Sequence, residues 1–186
     1  MIFREQLKKA FLTEDAPTLK SISTELNITL DTVRNLQKIN TKKLKYIQTV
    51  RSKFQSKKYI KKDGEKQLNP DFKFKNFAEF YFWYKIQPRK CFYCKTKEVI
   101  LQDLYSQGTL SSERGNKRGK SLEIERKDSS NNEYSKKNCV LACYFCNNHK
   151  SDIISEDDHV QYFAKSINEY LTTMWKTSNK TLERNS

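Results

Sequence analysis

Apolar residues are scarce in this chain of 186 residues: only 36% are hydrophobic, against about 45–50% in an average globular domain. A core built from so little is thin, and a structural metal would help to hold it. There is no run of about 18 apolar residues, so no membrane-spanning helix is expected. The first residues, MIFREQLKKAF, have neither a long apolar run nor a small-residue cleavage site. No secretory signal is evident there, and a cytoplasmic location is expected. No segment repeats. Glycine is rare, with 4 in the chain. Three of them, Gly108, Gly115 and Gly119, fall between Gln107 and Lys120 beside Arg114, Lys117, Arg118 and Lys120, which reads as an exposed basic loop. Aromatic residues are not scarce. At 12% they argue against wholesale disorder, and the length suits one ordinary domain or a small domain with an appendage.

Charge of one sign dominates. Lys and Arg number 36 against 22 acids, a formal net charge of +14, with a pI near 9.5. Such a balance points to a nucleic-acid partner. An anionic membrane would want a basic amphipathic helix with a clean apolar face, so no membrane partner is expected. Between Lys42 and Lys66 stand ten basic residues, opposed only by Asp63 and Glu65, so these 25 positions carry +8 of the +14. Tyr46, Phe54 and Tyr59 are interleaved with them. Leu44, Ile47, Val50 and Phe54 make the apolar side of a helix whose other side carries Lys57, Lys58, Lys61 and Lys62 toward phosphates.

Upstream, the spacing of Leu19, Ile22 and Leu26 predicts a helix after Pro17. Asn27 interrupts it with a residue that tolerates a left-handed backbone. Thr29 then caps a second helix carrying Val33, Leu36 and Ile39. Residues 18–39 resemble a DNA-binding helix-turn-helix. The resemblance implies that Arg34, Asn35 and Lys38, with Asp31 and Thr32, face a groove.

Residues 71–86 are crowded with aromatic side chains, and Asn76 with Glu79 suits a helix start. A short helix is expected there, packed onto the module that follows. Ser155 with Glu156, Asp157 and Asp158 supplies a cap and first-turn acids for a further helix. Val160, Phe163, Ala164, Ile167, Leu171 and Met174 form its buried stripe.

Four of the five cysteines form two CxxC pairs, Cys91/Cys94 and Cys143/Cys146, with forty-eight residues between the pairs. Four thiolates are the tetrahedral set that structural Zn²⁺ prefers. Disulfides would suit a secreted chain, which this is not expected to be. Cys139, flanked by Val140 and Leu141, is expected to be a buried strand residue.

Residues 122–152, LEIERKDSSNNEYSKKNCVLACYFCNNHKSD, resemble the HNH, or ββα-metal, endonuclease family, in the branch with a zinc-holding CxxC before and after the hairpin. The likeness runs from Lys90 to about Ile154. It implies an α+β fold with four parts: a first strand at Leu122–Glu125, a central Asn138, a second strand at Cys139–Ala142, and a helix opened by Asn147 and Lys150. It further implies a divalent Mg²⁺ or Mn²⁺ between Glu125 and Asn147, both hard oxygen ligands. Where the family places Asp and its general-base His, this chain has Glu125 and Arg126. Arginine stays protonated, so Arg126 is expected to contact the phosphate, and the base falls to His149, to Glu123 or to solvent and substrate.

The expected organisation is therefore a helical, basic DNA-binding region over 1–68, an HNH-like module over 69–176 and a flexible tail over 177–186. The implied catalytic residues are Glu125, Arg126, Asn138, Asn147, His149 and Lys150. Lys117 and Arg118 join Arg34, Asn35, Lys38 and the lysines in DNA binding. The implied activity is metal-dependent hydrolysis of double-stranded DNA by a restriction-type, phage or mobile-element enzyme. The alternative is a zinc protein without the base, which binds DNA and does not cut it. A homodimer is left open.

Overall fold

Thr18 and Thr29 each turn a hydroxyl back onto the third backbone N–H of the helix that follows, a cap contributing about 1 kcal/mol. The two helices are α1 (Leu19–Leu26) and α2 (Leu30–Ile39) in a computed structural model that describes residues 11–12, 17–111 and 118–185. Between them Asn27 adopts the left-handed conformation, φ 50° and ψ 49°. Ser23 Oγ donates to the Ile28 carbonyl across the turn at 2.5 Å. Ile22 and Val33 are fully buried, whereas Ile39, expected in the core, is 75% exposed.

α3 (Thr41–Lys58) follows and buries Ile47, Val50 and Phe54. Arg51, one of the ten basic residues between Lys42 and Lys66, is buried as well. Its guanidinium lies 4.1 Å from the centroid of the Phe77 ring and donates to the Phe11 carbonyl. The helix also stops earlier than the lysine run suggests. Residues 59–68 fold as a hairpin, β1 (Tyr59–Lys62) against β2 (Glu65–Leu68), in antiparallel register. Asp63 and Gly64 take positive φ at its tip, 54° and 82°, as a two-residue turn of the Asp-Gly kind requires. Lys61 and Lys62 are therefore strand residues, while Lys57 and Lys58 end the helix.

α4 (Phe77–Ile86) opens with a reciprocal cap: Asn76 accepts from the Glu79 N–H at 2.9 Å, and Glu79 accepts from the Lys75 N–H at 2.6 Å. Its aromatic face packs against α3. Phe54 meets Phe72, Phe77 and Phe80 with ring centroids 5.3–5.4 Å apart. The chain accordingly divides into two compact units at Ile86/Gln87 rather than after residue 68. The aromatic helix completes the core of the first unit because α3 alone has too few apolar residues to bury.

The second unit begins with the Cys91 knuckle and α5 (Glu98–Ser106), then β3 (Glu123–Arg126) paired antiparallel with β4 (Cys139–Ala142). α6 (Tyr144–Lys150) follows directly. A last helical stretch comprises α7 (Glu156–Asp158), a π-helical turn (His159–Phe163) and α8 (Ala164–Asn185). Ser155 caps it as expected, accepting from the Asp158 N–H. The π turn shifts the helix phase, so His159 is buried in place of Val160 and Phe163, which are 45% and 37% exposed. Ala164 and Leu171 stay in the core. α8 does not fray at residue 177. Ser178 and Asn179 bond Gln107. The Trp175 indole N–H bonds Asp103 on α5.

The fold is thus α+β, mostly helical, with two small two-stranded sheets among the described residues. Among the described residues no helix is long and apolar enough to cross a membrane. Phe54, fully buried among three rings, anchors the first unit. Phe54→Ala is expected to destabilise it by about 3–5 kcal/mol, read as a drop in the urea midpoint with the zinc content of the chain unchanged.

Candidate functional site

The four CxxC cysteines come together. All are buried, and their sulfurs lie within 4.8 Å of one another. Cys94 and Cys143 Sγ are 3.7 Å apart, far beyond a disulfide bond. A tetrahedron of sulfurs around zinc has edges of about 3.8 Å, given Zn–S distances of about 2.3 Å. The donor set therefore fits Zn²⁺ in number, chemistry and spacing. The first knuckle closes through Cys91 N–H to Thr96 carbonyl at 2.8 Å and a left-handed Lys95. In the second, Cys143 caps α6, its sulfur accepting from the Cys146 N–H. Hydrogen bonds from the Cys143 and Cys146 thiols lower the Cys91 and Cys94 thiols from the ordinary range.

Outer residues brace the knuckles. Thr96 and Cys94 are hydrogen-bonded through Oγ1 and Sγ at 3.2 Å. Asn168 of α8 donates to both Thr96 Oγ1 and the Cys94 carbonyl. Phe92 N–H bonds the Leu141 carbonyl of β4 at 2.8 Å, tying the first knuckle to the strand that leads to the second. Such partners orient metal ligands, and nothing in the sequence pattern marked them. Cys139 stays outside the cluster, buried in β4 as expected.

Alternation along β3 buries Leu122 and Ile124 on one side and turns Glu123 and Glu125 to the other. That second face looks onto α6. The Asn147 amide donates to Glu123 Oε2 at 2.5 Å. The Lys150 ammonium lies 3.7 Å from Glu125 Oε1. Asn147 and Lys150 share a helix face because they are three residues apart. The expected pairing is therefore shifted by two strand positions: Asn147 meets Glu123, and Glu125 is engaged by a lysine. Side-chain exposure follows the same order, 21% for Glu123 and 12% for Glu125. For an ion arriving from solvent, Glu123 with Asn147 is the accessible pair. Two hard oxygen donors suit a partly hydrated divalent cation.

Lys150 is 1% exposed. Its ammonium is satisfied by Ser129 Oγ at 2.9 Å and the Arg126 carbonyl at 3.4 Å, as a buried cation must be. Asn138 is a loop organiser. Its amide donates to the carbonyls of Asp128, Asn131 and Glu133 and accepts from the Asp128 N–H. Asp128 is held below the usual carboxylate range by the Ser130 hydroxyl and the N–H groups of Ser130 and Asn131. The loop between the strands is thereby built around one side chain.

Arg126 is committed to that loop. It donates to the Asn132 carbonyl and, at 2.6 Å, to Asn132 Oδ1, and lies 5.2 Å from the Tyr134 ring centroid. His149 is not brought to the carboxylates. It sits on the other side of α6, its ring 4.4 Å from Phe163 and 5.4 Å from His159, so a role as general base lacks geometric support. Arg118 lies at the edge of the site, bonded to Glu123 and Asn148, with its guanidinium 4.8 Å from the Tyr144 ring. The neighbouring Gly119 is buried rather than exposed in a loop. Any Cβ there would meet the Tyr105 hydroxyl at 2.1 Å, and φ is +91°. Lys117 lies outside the described residues. In the first unit Arg34, Asn35 and Lys38 are exposed on α2, with Arg34 paired to Asp31 at 2.9 Å.

No family model and no curated protein matches the chain. Among solved structures it is similar to PacI, described as a rare-cutting HNH restriction endonuclease. Identity is 28%, over 56% of this chain and 66% of that one, with a TM-score of 0.41.

Chelation and mutation should separate the two kinds of donor. Purified, unstripped protein is expected to contain one zinc per chain by elemental analysis. Cys143→Ser should lose it and melt the second unit, whereas Cys139→Ser should retain it. Zinc-free protein with an intact melting transition would disprove the assignment.

Proposed function

We propose that the chain is a metal-dependent DNA endonuclease of the HNH type, with structural zinc in the four-cysteine site. The observation that carries the reading is the β3–β4–α6 unit. Two acidic side chains of one strand face an amide and a lysine of the following helix, and the cysteine cluster lies at the start of that helix. A carboxylate and an amide oxygen at the mouth of such a unit can hold Mg²⁺ or Mn²⁺. When bound, the ion would stabilise the leaving oxygen and the charge building on the phosphorus.

The chain's own residues would divide the remaining work. Glu123 and Asn147 hold the ion. Lys150 keeps the Glu125 carboxylate in place, and Glu125 is the proton acceptor on the same face, since Arg126 stays protonated and His149 points elsewhere. Asn138 fixes the loop that presents Arg126. Arg118, braced by Tyr144, supplies positive charge at the rim for the phosphate. The basic first unit would hold the duplex, with α1 and α2 as a helix-turn-helix whose Arg34, Asn35 and Lys38 read a groove.

Arg126 supports the second reading, a zinc-stapled protein that binds DNA without cutting it, because no imidazole stands where the family has its base. Plasmid nicking with Mg²⁺ or Mn²⁺, against an EDTA control, decides between the two. Under the first reading the natural chain cuts, EDTA stops it, and Asn147→Ala abolishes cleavage while duplex affinity stays within about threefold. Glu123→Gln should then cost more activity than His149→Ala. A natural chain that binds but never nicks, and gains nicking on Arg126→His, would establish the second reading. Full cleavage by Asn147→Ala would refute the site.

A further inference from the structure

We propose that one face of the β1–β2 hairpin is a phosphate clamp for double-stranded DNA, with Lys61 and Lys66 as its two jaws. This rests on the DNA-binding reading and assigns it to a specific surface.

The hairpin register places Lys61 directly opposite Lys66 and Lys62 opposite Glu65. Side chains alternate between faces, so one face carries Tyr59, Lys61, Lys66 and Leu68, and the other carries Ile60, Lys62, Glu65 and Gln67. The two faces differ in charge. Lys62 stands across from an acid on its own face. Lys61 and Lys66 stand across from each other, and among the described residues no acidic side chain pairs with either. Asp63 lies in the tip, and Glu65 is on the other face.

Like charges directly opposite in an antiparallel pair destabilise it, and an isolated two-stranded hairpin is marginal in water to begin with. This hairpin has no core of its own. Leu68 is 64% exposed and Ile60 40%. An unneutralised lysine pair on such an element is a cost to folding that an anion bound between the ammonium groups would remove. A phosphodiester is the fitting anion. Cβ atoms of a directly opposed pair lie about 4.5–5.5 Å apart, so two lysine stems can converge on one phosphate group.

The surroundings extend the same chemistry. Lys66 Nζ already rests 4.0 Å from the Tyr59 ring centroid, which holds one jaw on the clamp face. The base of the hairpin is fastened to the end of α3. The Asn69 N–H bonds the Lys58 carbonyl at 2.8 Å, and the Asn69 amide bonds the Lys57 carbonyl at 3.0 Å. The clamp therefore has a fixed position relative to the basic end of that helix, and Tyr59 and Leu68 beside it offer apolar surface to sugars. A rigid duplex backbone, which presents phosphates at regular spacing, matches a fixed clamp better than a flexible strand does.

Three variants of the full chain test this by titration against a labelled random-sequence DNA duplex at several salt concentrations. Lys66→Glu turns the repulsive pair into an ion pair, so the melting temperature should hold or rise while binding falls. Losing one phosphate contact should weaken affinity about tenfold near 50 mM salt and about threefold near 200 mM, lowering the salt slope by about one. Lys66→Gln should weaken binding in the same direction. Lys62→Gln, an equal change of charge on the opposite face, should weaken it less than half as much. Natural affinity and slope in Lys66→Glu would overturn the clamp while leaving DNA binding intact. Equal losses from Lys66→Gln and Lys62→Gln would reduce the effect to net charge and overturn it as well. A natural chain that binds single strands but no duplex would overturn both the clamp and the duplex-binding reading beneath it.

Discussion

Four sulfur atoms meeting at one point is the constraint from which the second unit follows. Cys91 and Cys94 sit in a knuckle before α5, while Cys143 and Cys146 sit at the start of α6, with forty-eight residues between the pairs. Bringing them within 4.8 Å closes a long loop, and everything between must fold into the enclosed space. β4 leads directly into Cys143, so anchoring that residue fixes the strand's exit and the helix's entry together. With zinc in this cluster, metal binding and folding would be the same event, as is usual for small metal-stapled units. With 36% hydrophobic residues the chain has little else to supply this closure.

The second theme is how the chain handles an excess of positive charge. Some cations are taken inside and neutralised by geometry. Arg51 lies over Phe77, and Lys150 is bonded to Ser129 and the Arg126 carbonyl. Arg89 is paired with the buried Glu98, whose other oxygen accepts from the Leu122 N–H and so anchors the start of β3. Others stay outside: Lys61 and Lys66 of the first hairpin stand across from each other, and among the described residues no acidic side chain pairs with either. A count of charge along the sequence treats these groups alike, yet only the second set is available to a polyanion.

The cysteine pairs, the second strand at Cys139–Ala142, and the caps at Thr29, Asn76 and Ser155 were legible because each depends on local chemistry at fixed spacing, whereas the first strand runs Glu123–Arg126, one residue later than expected. What was not legible depended on phase. The π turn inserts one residue into the final helix and exchanges Val160 for His159 in the core. A helical wheel of period 3.6 cannot show this. The hairpin at Tyr59–Leu68 did carry a local signal, Asp63-Gly64, but the lysine run around it obscured the alternation. Register across β3 and α6 was a matter of tertiary packing. Glu123 and Glu125 are equivalent on the strand face, and only the placement of α6 assigns Asn147 to one and Lys150 to the other.

That assignment links stability and chemistry in one helix. α6 has seven residues, too short to persist alone, and it is held at its start by Cys143 and Cys146 and near its end by Lys150. Lys150 is buried, so its ammonium must keep Ser129, the Arg126 carbonyl and Glu125 close, and these three belong to the strand and loop opposite. The same contacts fix the rotation of the helix about its axis. Rotation decides where Asn147 points, because a residue one turn earlier moves with it. A lysine inside the fold thus sets the direction of an amide at its mouth, and the sulfur cluster sets the height at which that amide meets Glu123.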